Sequence, residues 1–285
     1  MTRTASSLVN RRRPVNRPGV VAYLVLILAL ILSVFPYWWS FVVSSNGISA
    51  VNAVPRPFLP GTRFLENFAN VLAAIPFWRA LLNSIVVSSV VSVSVVLFST
   101  LAGFSFSRLE FRGRDAMFVF IIATTAVPQQ LSVVPLFIVM SRLGWTGSLW
   151  AVIFPSLVTA FGVFWMTQYL REALPFELIE AARVDGCSVW RTFWHVGLPA
   201  ARPAAAMLGV FTFGAAWTSF FWPLIVLDPS NPTLPVALSQ LQAGYFVDFS
   251  IVLTGVLMAT LPLIVLFAIG GRQLVAGIMA GAVKS

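Results

Sequence analysis

Six apolar stretches divide this chain, at about Val20–Val43, Leu81–Phe104, Ala116–Met140, Leu149–Tyr169, Ala204–Leu227 and Ser250–Ile269. Each can cross the ~30 Å hydrocarbon core of a bilayer as a helix, which takes roughly 20 residues. A bilayer offers no water to its interior, so every backbone N–H and C=O must be paired within the segment, as a helix does. The expectation is an all-α polytopic membrane protein with six transmembrane helices. Charge agrees: 9% of the residues are charged and 59% hydrophobic, against about 25% charged in soluble domains.

Residues 1–19 form a basic tail with Arg3, Arg11, Arg12, Arg13 and Arg17. The apolar run over 20–43 is too long for a signal peptide, whose apolar region spans roughly 7–15 residues before a small-residue cleavage site. It ends in Tyr37-Trp38-Trp39 and reads as an uncleaved first membrane helix. The three arginines at 11–13 also resemble a twin-arginine signal, but a topogenic anchor accounts for them more simply. Pro36, Pro128, Pro135, Pro155, Pro223 and Pro262 lie in the apolar stretches. They are expected to kink helices where neighbours re-satisfy the freed carbonyls.

Orientation follows from the arginine and lysine distribution. With the N-terminus inside, fourteen basic residues fall in cytoplasmic segments and four (Arg56, Arg63, Arg79, Arg142) outside. Both termini are therefore expected in the cytoplasm. The segments are a cytoplasmic tail over 1–19, the first helix over 20–43 and an extracytoplasmic loop over 44–80. A five-helix core over 81–271 and a cytoplasmic tail over 272–285 complete the chain. Residues 44–79 and 228–248 are rich in proline and asparagine. They fit either ordinary connections or contacts to an external partner.

The most informative segment is the charged cytoplasmic loop over about 171–203. It contains Glu180-Ala181-Ala182-Arg183-Val184-Asp185-Gly186, then nine residues to Val196, and Leu198-Pro199. Pro175 suits a first helical turn, Glu177 suits the positive end of the helix dipole, and Gly186 suits its stop. At 100° per residue, Glu177, Glu180 and Val184 share one face, and Leu178, Ile179, Ala182 and Gly186 the other. Ala181, Ala182 and Gly186 lack bulk, so another surface can approach closely. The apolar face fits either docking on the chain's own membrane domain or a groove on a partner. A helix lying on lipid would usually carry a basic polar face, and this one is acidic.

Other chemistry is thinly represented. Lys284 is the one lysine and Val283 precedes it, so the chain has no phosphate-binding G-x-x-x-x-G-K-[ST] loop. Any ATP energy must enter through another subunit. His195 and Cys187 are the single histidine and cysteine, too few for a metal or haem site and read as a loop residue and a small packing residue. No metal or catalytic residue is expected. The basic residues form no patch with interleaved aromatics, which excludes nucleic acid. The spans hold almost no ionisable residues, which disfavours an ion-coupled secondary transporter of a small polar solute, the alternative reading. A membrane enzyme would need a nucleophile–base set that is not visible. Gln129, Gln130, Trp217 and Trp222 are candidate pore-lining residues, since solutes rich in hydroxyls bind through hydrogen bonds and aromatic stacking. Helix–helix packing by polar residues is the competing reading for the first three, and it wins for any single serine.

The spaced loop pattern resembles the EAA loop of binding-protein-dependent ABC importer permeases. Its anchors are Glu180, Ala181, Ala182, Gly186, Val196, Leu198 and Pro199. Further resemblance to the carbohydrate-uptake subfamily, the maltose-type second permease, lies in Asn83-Ser84, Pro128-Gln129-Gln130, Pro135-Leu136-Phe137, the 217–224 segment and the 274–284 tail. Thr218-Ser219 departs from it, since many members carry Asn-Glu or similar there. The resemblance covers about 20–285 and implies a non-catalytic permease subunit of a sugar importer for a di- or oligosaccharide, in the plasma (inner) membrane of a prokaryote. It implies that Glu177, Glu180, Ala181, Ala182, Asp185, Gly186, Leu198 and Pro199 couple to an ATPase. The implied partners are a second permease completing the pore, two cytoplasmic ATPase subunits that bind ATP and Mg, an extracytoplasmic solute-binding protein and membrane lipid. In the maltose-type system, sugar contacts lie mainly on the other permease.

Overall fold

The computed structural model of the protein describes residues 19–51, 53–54 and 57–282. Residues 1–18 of the expected basic tail, Arg56 and Lys284 lie outside them, as do the side chains of the 274–284 signature. Among the described residues, nine helices carry the architecture: α1 Val20–Ser44, α2 Phe64–Ala74, α3 Phe77–Arg108, α4 Arg114–Thr124, α5 Val133–Arg142, α6 Ala160–Ala173, α7 Phe176–Val184, α8 Leu198–Trp217 and α9 Phe249–Ala282. Short helical turns connect them, and no strand occurs among the described residues.

Among the described residues, five helical stretches are long and apolar enough to cross a membrane: Val20–Ser44, Phe77–Arg108, Trp150–Ala173, Val189–Trp217 and Phe249–Gly271, of which Trp150–Ala173 is interrupted at Leu157–Thr159. A sixth crossing exists if α4 and the Gln129–Arg142 helix count as one span, bent by 89°. The sequence pattern implied a straight or kinked helix over 116–140, and the structure breaks it instead. Pro128 cannot donate a backbone hydrogen bond and disfavours helix at the residue before it. The chain turns through Thr125, Ala126 and Val127 and re-enters helix as a 3₁₀ turn at Gln129–Ser132. The fifth apolar stretch also differs. Helix begins well before Ala204, since α8 starts at Leu198 and continues a helical stretch that runs from Val189. It ends at Trp217, and Phe221–Val226 forms a separate turn.

α3 is the central element, packed against both α6 and α8. Its buried face carries Val87, Val91, Val95 and Phe104, which join Met166 and Leu170 of α6 and Ala204 and Leu208 of α8 in the main core. α3 and α6 approach closely at Gly103. A Cβ there would lie 2.7 Å from the Met166 Cβ and 2.9 Å from the Thr167 nitrogen, so only glycine lets the two backbones approach this far. Serines join the helices, as the packing reading expects. Ser92 donates to the Gly209 carbonyl at 2.7 Å, Ser94 donates to the Leu157 carbonyl at 3.0 Å, and Ser84 accepts from the Leu234 N–H at 2.7 Å.

The two expected outer segments are differently held. Asn67 of α2 donates to the Ser44 carbonyl at 2.8 Å, fixing the end of α1. Asn83 donates to the Pro232 carbonyl at 2.9 Å and to Asn231 Oδ1 at 3.0 Å, which pins residues 231–232 to α3. Tyr245 and Phe246 are fully exposed. Most of α1 is exposed on all sides, with Val42, Val43 and Ser44 its buried residues.

Gly103→Val should overpack the α3–α6 crossing. The expected cost is ~1–3 kcal/mol, seen as a lower unfolding temperature of the detergent-solubilised protein, while Ser89→Ala on the same helix should shift it far less.

Candidate functional site

The charged loop is a capped helix. α7 begins after Pro175, whose extended ψ of 146° makes it the N-cap rather than the first helical residue. Glu177 lies in the first turn and Arg183 in the last, each sign placed favourably against the helix dipole. At the other end Gly186 has φ +76°. Its N–H donates to the Arg183 carbonyl at 3.0 Å, and the Cys187 N–H donates to the Ala182 carbonyl at 2.9 Å. These two bonds are a Schellman stop. A Cβ at Gly186 would meet nothing within 4 Å, so the glycine is needed for its backbone conformation rather than for close approach within this chain.

One face of α7 is seated on the protein's own core. Ile179 and Ala182 are buried, and Ile179 packs with Leu170, Leu174 and Phe193. Of the two docking alternatives, the membrane-domain one describes this face. Leu178, placed on the same face by the helical wheel, is instead half-exposed at 49%. One residue is 100° of rotation, which carries it from the buried stripe to its flank. Glu177, Glu180, Ala181, Val184, Asp185 and Gly186 all point away from the core and are exposed. Val184 is 88% exposed and Trp190, just beyond the stop, 58%.

The loop is tied to the spans at two points. Arg108, at the end of α3, donates from one guanidinium nitrogen to the Leu170 and Arg171 carbonyls at 2.8 and 2.7 Å. These are last-turn carbonyls of α6; that of Leu170 also accepts from the Leu174 N–H at 3.2 Å. Phe193 lies edge-on to Phe104 of α3, with centroids 5.6 Å apart. Phe193 begins a π-helical turn over Phe193–Gly197, which leads directly into Leu198, Pro199 and α8. Leu198 and Pro199 are half-buried there. His195 sits in this turn, exposed, with Nδ1 2.9 Å from the Arg191 carbonyl.

A second feature is a cleft of about 730 Å³ beside the break between α4 and α5. Gln129 and Gln130 line it from the 3₁₀ turn, and Trp222 from the helix after α8. The Trp222 indole donates to the Ala151 carbonyl at 2.9 Å, which fixes the ring. Trp217 is not part of this cleft. It is 4% exposed, stacks on Phe213 at 5.8 Å and donates to the Ala259 carbonyl at 3.2 Å. Its indole found a partner inside the α2–α3–α9 packing, with Val71 and Met258 as neighbours. The cleft also recruits Ser156, Phe161, Phe220 and Phe221, which sequence reasoning did not single out. The Pro155-Ser156 step was the available signal, since it marks the 3₁₀ interruption that turns Ser156 toward the cleft.

Comparison with known proteins gives a consistent picture. The model of a family described as binding-protein-dependent transport system inner membrane component matches residues 95–274. The lactose transport system permease protein LacG of Rhizobium radiobacter is 32% identical over 268 residues, covering 94% of this chain and 97% of its own length. The arabinooligosaccharides transport system permease protein AraQ of Halalkalibacterium halodurans is 33% identical, covering 82% and 84%. The sn-glycerol-3-phosphate transport system permease protein UgpE of Escherichia coli (strain K12) is 29% identical, covering 93% and 98%. Among solved structures, a bacterial ABC transporter involved in import of the acidic polysaccharide alginate superposes with TM-score 0.76 at 22% identity, covering 89% and 95%. That likeness concerns the fold.

Gly186→Ala should loosen the end of α7. An alanine at positive φ costs roughly 1–2 kcal/mol, and the amides of residues 185–187 should exchange hydrogen faster while those of α3 stay protected.

Proposed function

The chain belongs to the binding-protein-dependent transport system inner membrane components, and from this premise we propose how it works. It is a multi-pass inner-membrane permease subunit of an ABC importer. The solute is a saccharide, as in the relatives that carry lactose and arabino-oligosaccharides. The bent α4–α5 pair counts as the third of six crossings, and both termini and α7 face the cytoplasm, the side where basic residues concentrate.

α7 is the coupling element. The observation that carries this reading is its split surface: Ile179 and Ala182 are sunk in the core, whereas Glu177, Glu180, Val184 and Asp185 are exposed beyond it. An apolar residue as open as Val184, among carboxylates and outside the spans, fits a helix-in-groove contact. The groove belongs to a cytoplasmic ATPase, with carboxylates meeting its cations. ATP and Mg bind there, since this chain has no phosphate loop. Arg108 and the Phe104–Phe193 contact then pass movement of α7 to α3 and α8, a two-state rigid-body transition. A second permease completes the pore, and an extracytoplasmic binding protein delivers solute to the cleft bearing Gln129, Gln130 and Trp222.

Glu180→Lys and Gly186→Asp should each abolish uptake and lower co-purification of the ATPase, while the amount of protein in the membrane stays normal. Wild-type uptake with unchanged co-purification in both variants would contradict the assignment.

A further inference from the structure

Three walls of the cleft are tied together by one side chain beyond its edge. α3 supplies Val87 and Val91, the segment between α5 and α6 supplies Val152 and Ser156, and the segment after α8 supplies Phe220, Phe221 and Trp222. On α3, Asn83, Val87 and Val91 follow one another at four-residue steps and so share a face. Asn83 stands about 6 Å nearer the start of the helix than Val87, one turn beyond the cleft. That end of α3 is the extracytoplasmic one in the topology proposed above.

Asn231 meets α3 at this level, and its carboxamide uses both ends. Its Oδ1 accepts from Asn83 Nδ2 at 3.0 Å and from Arg79 Nε at 3.2 Å, both on α3. Its Nδ2 donates to the Gly147 carbonyl at 3.3 Å, on the facing segment. Its own backbone belongs to the third wall, which is held to the same facing segment. The Asn231 N–H donates to the Asp228 carbonyl at 2.9 Å, the Gly147 N–H to the Val226 carbonyl at 2.8 Å, and the Trp222 indole to the Ala151 carbonyl. Among the described residues no hydrogen bond joins α3 directly to residues 144–152, so the link runs through Asn231. One turn past Val91 the same two walls are bonded directly, by Ser94 to the Leu157 carbonyl. The Asn231 bridge differs in being open to water: Arg79 is exposed, and no described carboxylate lies within ion-pair distance of it. Water competes for such bonds, so each contributes little net, and this end of the cleft parts more easily than the other.

We infer that Asn231 is a positioning residue that latches the extracytoplasmic end of the cleft: its carboxamide holds α3 to the facing wall, and that end opens when the bridge breaks. The inference rests on the cleft being part of the solute path, as proposed above. Asn231→Asp separates the two halves of the bridge. A carboxylate still accepts from Asn83 and Arg79, but it has no proton to give the Gly147 carbonyl.

The test uses the complete importer without ATP, with Cys187→Ser as background and Ser219→Cys as a reporter in the cleft. A membrane-impermeant thiosulfonate is added to right-side-out vesicles and, separately, to inside-out ones. Asn231→Asp and Asn231→Leu should each raise the extracytoplasmic reaction rate about five- to tenfold, the factor that loss of one or two hydrogen bonds gives, and leave the cytoplasmic rate unchanged. An unchanged extracytoplasmic rate overturns the inference. So does an equal rise from both sides, which is general loosening. Either result leaves the cleft's place in the solute path standing. No reaction from either side, with or without ATP, overturns both the latch and that place. Asn83→Ala, which removes an α3 donor of the bridge, repeats the comparison if neither Asn231 variant assembles.

Discussion

The contact between α3 and α6 at Gly103 sets the distances on which the rest of the membrane domain depends. With no side chain at that position, α6 lies close enough for Met166 and Leu170 to enter the main core. In a bilayer, lipid tails are as apolar as the side chains, so helices associate through close van der Waals contact and shared hydrogen bonds rather than through exclusion of water. The same approach brings the end of α3 beside the end of α6, where Arg108 donates to the Leu170 and Arg171 carbonyls. Only Leu174 and Pro175 separate α6 from α7, so the position of α7 inherits the geometry of that crossing. A tight helix pair and an exposed charged helix are thus one mechanical unit.

The cleft arises from the opposite condition, a place where regular helix fails. Pro128 ends the hydrogen-bond ladder of α4, and the chain turns by 89° before resuming. Irregular backbone at membrane depth is tolerated where it lines a cavity. The two glutamines after the proline and the interruption at Phe154–Ser156 lie on the same cavity. Polar groups gather where the backbone departs from helix, and that region is the one suited to holding a polar solute.

Much of this was legible in the residues. Apolar runs of spanning length marked the five long apolar helices and the bent α4–α5 pair, and charge, proline and glycine marked α7 with its ends within a residue or so of where they lie. Gln129, Gln130 and Trp222, candidates for pore lining on their chemistry, line the cleft. What escaped has physical reasons. A proline says that a helix is interrupted, but the angle depends on which neighbours accept the freed groups, so the break of the third apolar stretch was not readable. Trp217 looked like a stacking surface because an indole is amphipathic; whether its N–H meets a solute or a carbonyl depends on tertiary packing, and here Ala259 supplies the carbonyl. Ser156 and Phe161 were hidden because every face of such helices is apolar, so periodicity does not separate the lipid side from the cleft side. Gly186 was read correctly as a stop, but its lack of bulk has no role within this chain, since open space surrounds it.

The central claim is that the exposed side of α7 meets an ATPase. The direct measurement is cross-linking from Val184→Cys, on a Cys187→Ser background, in membranes that contain the complete importer. The account predicts an adduct between this chain and a cytoplasmic ATPase subunit, with a yield that changes when ATP is added. Full ATP-driven uptake with no such adduct from Val184 would contradict it.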